Sequence, residues 1–306
     1  MIALTQYLIR YSIIQPIIKQ YNFDLMMSHL DFFLLSLSTI MIAAAGYVIN
    51  DYFDVKIDKV NKPKDVIIDR HIKRRVAMGA HIVINTIGLL LGAYVSYKVG
   101  NLYLIALHAF AAFSLWYYST NFKYDLFIGN FVIALMAAFV PLIVGLYEVP
   151  LLNKWAFEYF QLNKIDSDFN FNHVAYYTIG FSIFAFLMTF ARGITKDCAD
   201  INGDSRYDAS TITIKYGDGV AKFITNVFYF LTISGLVTIH ILFLRDFITL
   251  GYISLLCLLL VFAIFKTAKA RNRKEYLSVS NLNKIISIIG ILYALIFPII
   301  LKKFIG

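Results

Sequence analysis

Residues 50–58 read Asn50-Asp51-Tyr52-Phe53-Asp54-Val55-Lys56-Ile57-Asp58, NDYFDVKID, and they close an apolar run that begins near residue 32. A carboxylate at or inside a bilayer edge is costly, so three of them ending such a run require something to offset their charge. Asp51, Asp54 and Asp58 are spaced by three and four. On a helix that spacing stacks the side chains on one face over two turns.

The surrounding chain is that of a membrane protein. Of its 306 residues, 59% are hydrophobic and only 15% charged, with a mean hydropathy of +0.69. A soluble domain is about half apolar and a quarter charged. The apolar residues come in continuous blocks rather than alternating, which argues for spanning helices and against a β-barrel. The opening MIALTQYLIR has no basic region before its apolar residues and no small-residue cleavage site, so it is not expected to be a signal peptide. Cys198 and Cys257, one in a polar segment and one in an apolar run, suggest neither a disulfide frame nor a metal cluster. The net charge of +9 resides mostly in a few loops. Membrane topology explains it better than nucleic-acid binding does.

Runs long enough to span lie near 4–20, 32–52, 75–97, 101–119, 125–147, 171–193, 218–243, 247–267 and 284–304. The expected fold is therefore all-α and polytopic, with about nine transmembrane helices around a central cavity. Arg10, Gln15 and Pro16 interrupt the first run, so eight spans with an interfacial first helix is the alternative, and Pro298 is a candidate kink in the last. The loop 59–75 carries seven basic residues, from Lys59 to Arg75, and 266–284 carries six. With nine spans both fall on one side, together with Lys123 and with Lys196, Arg206 and Lys215 of 194–217. The positive-inside rule puts these loops and the N-terminus in the cytoplasm of a cell-membrane protein.

The spacing of three and four recurs at Asp197, Asp200 and Asp204 in KDCADINGD. Both acid sets fall at the same-side ends of their spans, the second and the sixth. Like charges stacked this way repel and make sense around a cation. Oxygen-only ligands indicate a hard ion, and Mg²⁺ typically binds a few carboxylates while phosphate oxygens complete its shell. Two facing triads could thus hold one or two Mg²⁺ and, through them, a diphosphate whose tail lies in lipid. An EF-hand reading from Asp200 fails, because its sixth position is Ser205 and its twelfth Thr211.

With these residues in place, the chain resembles the UbiA superfamily of intramembrane prenyltransferases. NDYFDVKID resembles that family's first motif, and KDCADINGD followed by STITIKYG its second. YYSTNFKYDLFIGN is similar to the stretch that carries a lysine and Gly-Asn, here Lys123, Gly129 and Asn130. LIRYSIIQ is similar to the N-terminal helix with its arginine, Arg10. The resemblance implies one prenyltransferase domain over 1–306, in two pseudo-repeat halves with motifs at 50–58 and 197–204. The pattern ARGITKDCADINGD is most similar to a branch that transfers geranylgeranyl from its diphosphate to the hydroxyl of a prenylglyceryl phosphate.

Two departures stand out. NKPKDVIIDRH replaces an arginine- and proline-rich stretch, leaving Lys62, Lys64, Arg70 or His71 as substitute phosphate contacts. Gly193 stands where relatives often carry Glu, which puts the acceptor in question.

The expected chemistry is ionisation of a prenyl diphosphate, with Mg²⁺ and cations stabilising the leaving group in a closed site. Asp51, Asp54, Asp58, Asp197, Asp200 and Asp204 are the expected metal-binding and catalytic residues. Asn50, Arg10, Lys123, Asn130, Arg192 and Lys196 are the expected substrate contacts; Arg10, inside a predicted span, should face a cavity or a partner. Tyr117, Tyr118 and Phe122 are candidate tunnel residues. The segments 53–75 and 194–217 are expected to cap the site. The partners implied are a prenyl diphosphate, a lipid or aromatic acceptor and membrane lipid. A cation-coupled transporter is the alternative from another class, although such proteins place their ion sites near the midplane and these acids fall at helix ends.

Overall fold

The computed structural model describes residues 1–303 apart from Lys62, Asp65, Phe122, Tyr124, 165–168, Asp208 and Ala209. The described chain is almost entirely helical. Short helices α1 (Ile2–Leu8) and α2 (Gln15–Lys19) are joined by a π-helical stretch, Ile9–Ile14. Seven helices follow: α3 (His29–Asn61), α4 (Arg74–Lys98), α5 (Ile105–Thr120), α6 (Ile128–Leu162), α7 (Asn172–Asp204), α8 (Ile212–Ile239) and α9 (Phe247–Lys269). The last, α10, is Arg273–Lys303 and continues through Pro298.

Eight of these helices, α3 to α10, are long and apolar enough to cross a membrane. The first predicted span is instead the broken α1–π–α2 segment, so nine is an approximate count. That segment is not interfacial. Ile9, Arg10, Ile13, Ile14 and Ile18 are fully buried, and it packs against α3, α6 and α10.

Helices α3, α6 and α7 outrun their apolar stretches. Both acid motifs are therefore helical, as their spacing requires, and much of the two expected capping segments is helix. Residues 53–61 belong to α3 and 194–204 to α7. The connection after α3 is pinned down as well, because Val66 and Ile68 are buried with Val55 and Ala77.

Alternation of the eight long helices gathers the ends of α3, α5, α7 and α9 with the starts of α4, α6, α8 and α10. There α3 meets α7, with Asn61 against Gly203 and Asp204. Lipid supplies no hydrophobic drive between helices, so close packing and buried hydrogen bonds must hold the bundle. A Cβ on Gly92 would fall 2.6 Å from the His108 ring, bringing α4 and α5 together. His108 then reaches Ser38 through Nδ1 at 3.1 Å and the Tyr147 hydroxyl through Nε2 at 2.9 Å, and that hydroxyl meets Ser96 at 2.7 Å. One buried network thus ties α3, α4, α5 and α6, and His108 is structural.

At the opposite end of the bundle, Phe23, Trp155, Tyr159 and Phe171 form an aromatic cluster with ring centroids 4.7–6.2 Å apart. Beneath it Arg10 Nε lies 3.3 Å from Glu148 Oε2, both side chains being 0–1% exposed. Glu148 Oε1 accepts the backbone N–H groups of Met26 and Met27 at 2.6 and 3.1 Å, and Arg10 Nη2 donates to the Met27 carbonyl. The pair locks the 20–28 turn onto α6. Arg10→Met alone should lower stability by about 3–5 kcal/mol by stranding a buried carboxylate, and Arg10→Met with Glu148→Leu should recover most of it. Unfolding of the detergent-solubilised variants measures both.

Candidate active site

Helix α3 presents Asp51, Asp54 and Asp58 on one face, and the same register continues to Asn61. Helix α7 presents Asp197, Asp200 and Asp204. Asp54, Asp200 and Asp204 are buried. Side by side in a poorly hydrated site, such carboxylates need donors, and three other elements and α3 itself supply them.

The turn between α5 and α6 contributes Lys123. Its Nζ donates to Asn50 Oδ1 at 3.1 Å and pairs with Asp54 Oδ2. Asn50 Nδ2 in turn donates to Asp54 Oδ2 at 2.8 Å. The same ammonium senses Asp204, Asp51 and Asp197, so it lies between the two acid rows. Burial pushes its pKa down to about 7, and neighbouring Lys196 adds to the push, while those three carboxylates pull the other way. An anion arriving beside it would favour the charged form.

The start of α6 contributes Asn130, whose Nδ2 donates to Asp197 Oδ2 at 2.7 Å. The start of α10 contributes Arg273, whose Nη2 lies 3.3 Å from Asp200 Oδ1. The end of α3 contributes Asn61, whose Nδ2 donates to Asp204 Oδ1 at 3.4 Å. Tyr118 on α5 lies within electrostatic reach of Asp197 and Asp204. Tyr118, Lys123 and Asp197 are closely surrounded by protein yet keep part of their surface open, as residues lining a cavity do.

The structure thus brings together Asn50, Lys123, Asn130, Lys196 and the two acid rows. Arg192 lies on α7 deeper in the bundle than Asp197. Its Nε is buried without a hydrogen-bond partner among the described residues, and the Tyr47 phenol of α3 is the ionisable group coupled to it. Arg10 is not brought to this site. Its partner Glu148 lies 18 residues beyond Asn130 on α6, about 27 Å of helical rise away. Arg10, expected as a substrate contact, is instead placed against Glu148 at the opposite end of the bundle.

Among the alternative phosphate contacts, Lys64, Arg70 and His71 are exposed in the 63–73 connection. Lys62 lies outside the described residues, as does Phe122. Tyr117 stacks on Phe113 at 5.6 Å. Sequence reasoning missed Asn61 and Arg273, and it named Tyr118 only as a candidate tunnel residue. Asn61 carried a usable signal, since 51, 54, 58 and 61 continue one helix face. Arg273 carried none, its partner being 73 residues away.

Among the described residues no three His, Cys, Asp or Glu side chains come close enough to hold a metal ion by themselves. The donor set is nevertheless suited to Mg²⁺, being entirely oxygen and divided between two rows. An ion there would take one or two carboxylates and draw its remaining ligands from substrate or water.

The fold and this site define a polytopic α-helical membrane protein with an acidic, cation-bridged centre at one end of its bundle. The chain belongs to the UbiA prenyltransferase family, which its residues 22–285 match. It is 32% identical over 192 residues to a digeranylgeranylglyceryl phosphate synthase of Pyrococcus horikoshii, a match spanning 62% of this chain and 58% of that protein. With the enzyme so named from Sulfolobus acidocaldarius it shares 26% over 256 residues, 82% of this chain and 83% of that one. The solved apo structure of a UbiA homolog from Aeropyrum pernix K1 has the same fold, with a TM-score of 0.68 at 14% identity over 97% of this chain and 98% of that one.

Lys123 and Asp54 should prove energetically coupled. A double-mutant cycle of Lys123→Met and Asp54→Asn, followed by unfolding in detergent, should give an interaction energy of about 0.5–3 kcal/mol.

Proposed function

We propose that this membrane prenyltransferase transfers a geranylgeranyl group from its diphosphate to the hydroxyl of a prenylglyceryl phosphate. The observation that carries the reading is the Lys123 bridge. One ammonium pairs with Asp54 of the first acid row and senses Asp197 and Asp204 of the second, so both rows and a cation face one space. The names of the relatives in Pyrococcus and Sulfolobus favour this acceptor. The reading takes the chain as one transmembrane domain in two halves, with the basic connections and the site in the cytoplasm.

In this reading Asp51, Asp54, Asp58, Asp197, Asp200 and Asp204 hold Mg²⁺ directly or through water, and bound Mg²⁺ supplies charge stabilisation for the leaving diphosphate. Lys123 and Lys196 add positive charge at the same place, and Arg192 offers a further anion contact deeper in the bundle. The allylic carbon–oxygen bond breaks as charge builds on the diphosphate. The acceptor hydroxyl oxygen forms the new bond, and its proton passes to the released diphosphate or to water. Tyr118 and its aromatic neighbours offer π faces to the allylic cation, and enclosure keeps water from it. Placement of the acids at helix ends, with no interrupted spanning helix among α3 to α7, disfavours the transporter reading.

Asp54→Ala and Asp200→Ala should each lower transfer by about two orders of magnitude or more, the scale of losing a charge-stabilising group. Chelation should silence the wild type and added Mg²⁺ restore it. The assay is membranes given labelled geranylgeranyl diphosphate with either the prenylglyceryl phosphate or an aromatic acceptor. Product only with the aromatic acceptor would overturn the acceptor assignment, and full activity in both variants the metal assignment.

A further inference from the structure

Two acids of the second row are held in the same way. Asn130 Oδ1 lies over Gly193, where a Cβ would fall 2.2 Å from it, while its Nδ2 donates to Asp197, one turn further along α7. Asn61 lies over Gly203, where a Cβ would fall 2.4 Å from both amide atoms, while its Nδ2 faces the neighbouring Asp204. The amide of Asn61 is oriented by the backbone, because its Oδ1 accepts the Gly203 N–H at 2.9 Å. That leaves only the NH₂ for the carboxylate. In each case an oxygen turns toward a glycine of α7 and a neutral donor turns toward an acid. Each donor engages one carboxylate oxygen, Asp197 Oδ2 or Asp204 Oδ1, and each leaves the second oxygen uncommitted to it.

We propose that Asn61 and Asn130 are positioning residues that fix the Asp204 and Asp197 carboxylates for metal binding, each seated in the space of an absent Cβ on Gly203 and Gly193. Asn61 belongs to α3 and follows the first acid row on its own face, so its seat also sets the separation of the two rows. Both amides are neutral, so they hold the acids without cancelling the charge that a cation needs. The inference rests on the metal-diphosphate reading of the site. Partners behind ligating carboxylates are worth about 10- to 100-fold in metal affinity.

The test uses the full chain in detergent, with Mn²⁺ binding followed by electron paramagnetic resonance in the presence of inorganic diphosphate, and with thermal midpoints recorded in parallel. Asn61→Ala, Gly203→Ala, Asn130→Ala and Gly193→Ala should each weaken Mn²⁺ binding by about 10- to 100-fold. Gly79→Ala, on a part of α4 where a Cβ meets nothing within 4 Å, should bind as the wild type does. Gly203→Ala should also lower the midpoint through its clash. The Asn61→Ala/Gly203→Ala double variant should regain that midpoint, because the amide has gone, yet bind Mn²⁺ no better than Asn61→Ala. Wild-type binding in Asn61→Ala and Asn130→Ala, or recovery of binding along with the midpoint in the double variant, would overturn the positioning role. A wild type that binds no Mn²⁺ would overturn the metal reading itself.

Discussion

Repulsion between two rows of carboxylates, brought together where α3 meets α7, is the constraint around which the rest of this protein is arranged. Neither helix can relieve it alone, since each stacks its acids on one face. Relief comes from Lys123 before α6, Asn130 at its start and Arg273 at the start of α10, and across the seam from Asn61 at the end of α3. These segments converge because an alternating bundle returns every second helix end to the same side. The connections thereby serve the site, although most of their length follows from topology.

The donors differ in kind. Lys123 and Arg273 carry charge and compete with any metal for the carboxylates they touch. Asn50, Asn61 and Asn130 do not. A site supported only by cations would be neutral and have little use for Mg²⁺, whereas one supported only by amides would keep six acids in mutual repulsion. The mixture leaves the cluster short of positive charge while its side chains stay oriented.

Apolar run length located every long helix, because a bilayer imposes its thickness on the sequence. It misplaced helix ends wherever a helix leaves the hydrocarbon and continues with polar residues. That error had a consequence at Arg10. An arginine inside a span was expected to have a partner or a cavity, but its partner Glu148 falls one residue beyond the predicted end of the 125–147 span. Helix α6 in fact runs on to Leu162. The acid rows were legible because their spacing is local. Asn61 was legible in principle by the same spacing. Arg273 was not, since its charge is one of six in a basic connection and only the fold singles it out.

Gly193 shows how a departure from a family pattern changes meaning once the packing is known. Read as sequence, glycine in place of glutamate put the acceptor in question. In the bundle, the Cβ of any other residue would fall on Asn130, the residue that holds Asp197. Glutamate at 193 and Asn130 in its present place are therefore mutually exclusive. The two positions amount to one choice about how the first acid of α7 is supported, made between neighbouring helices. The glycine is thus accounted for by the packing of α6 on α7 at the first acid of the second row.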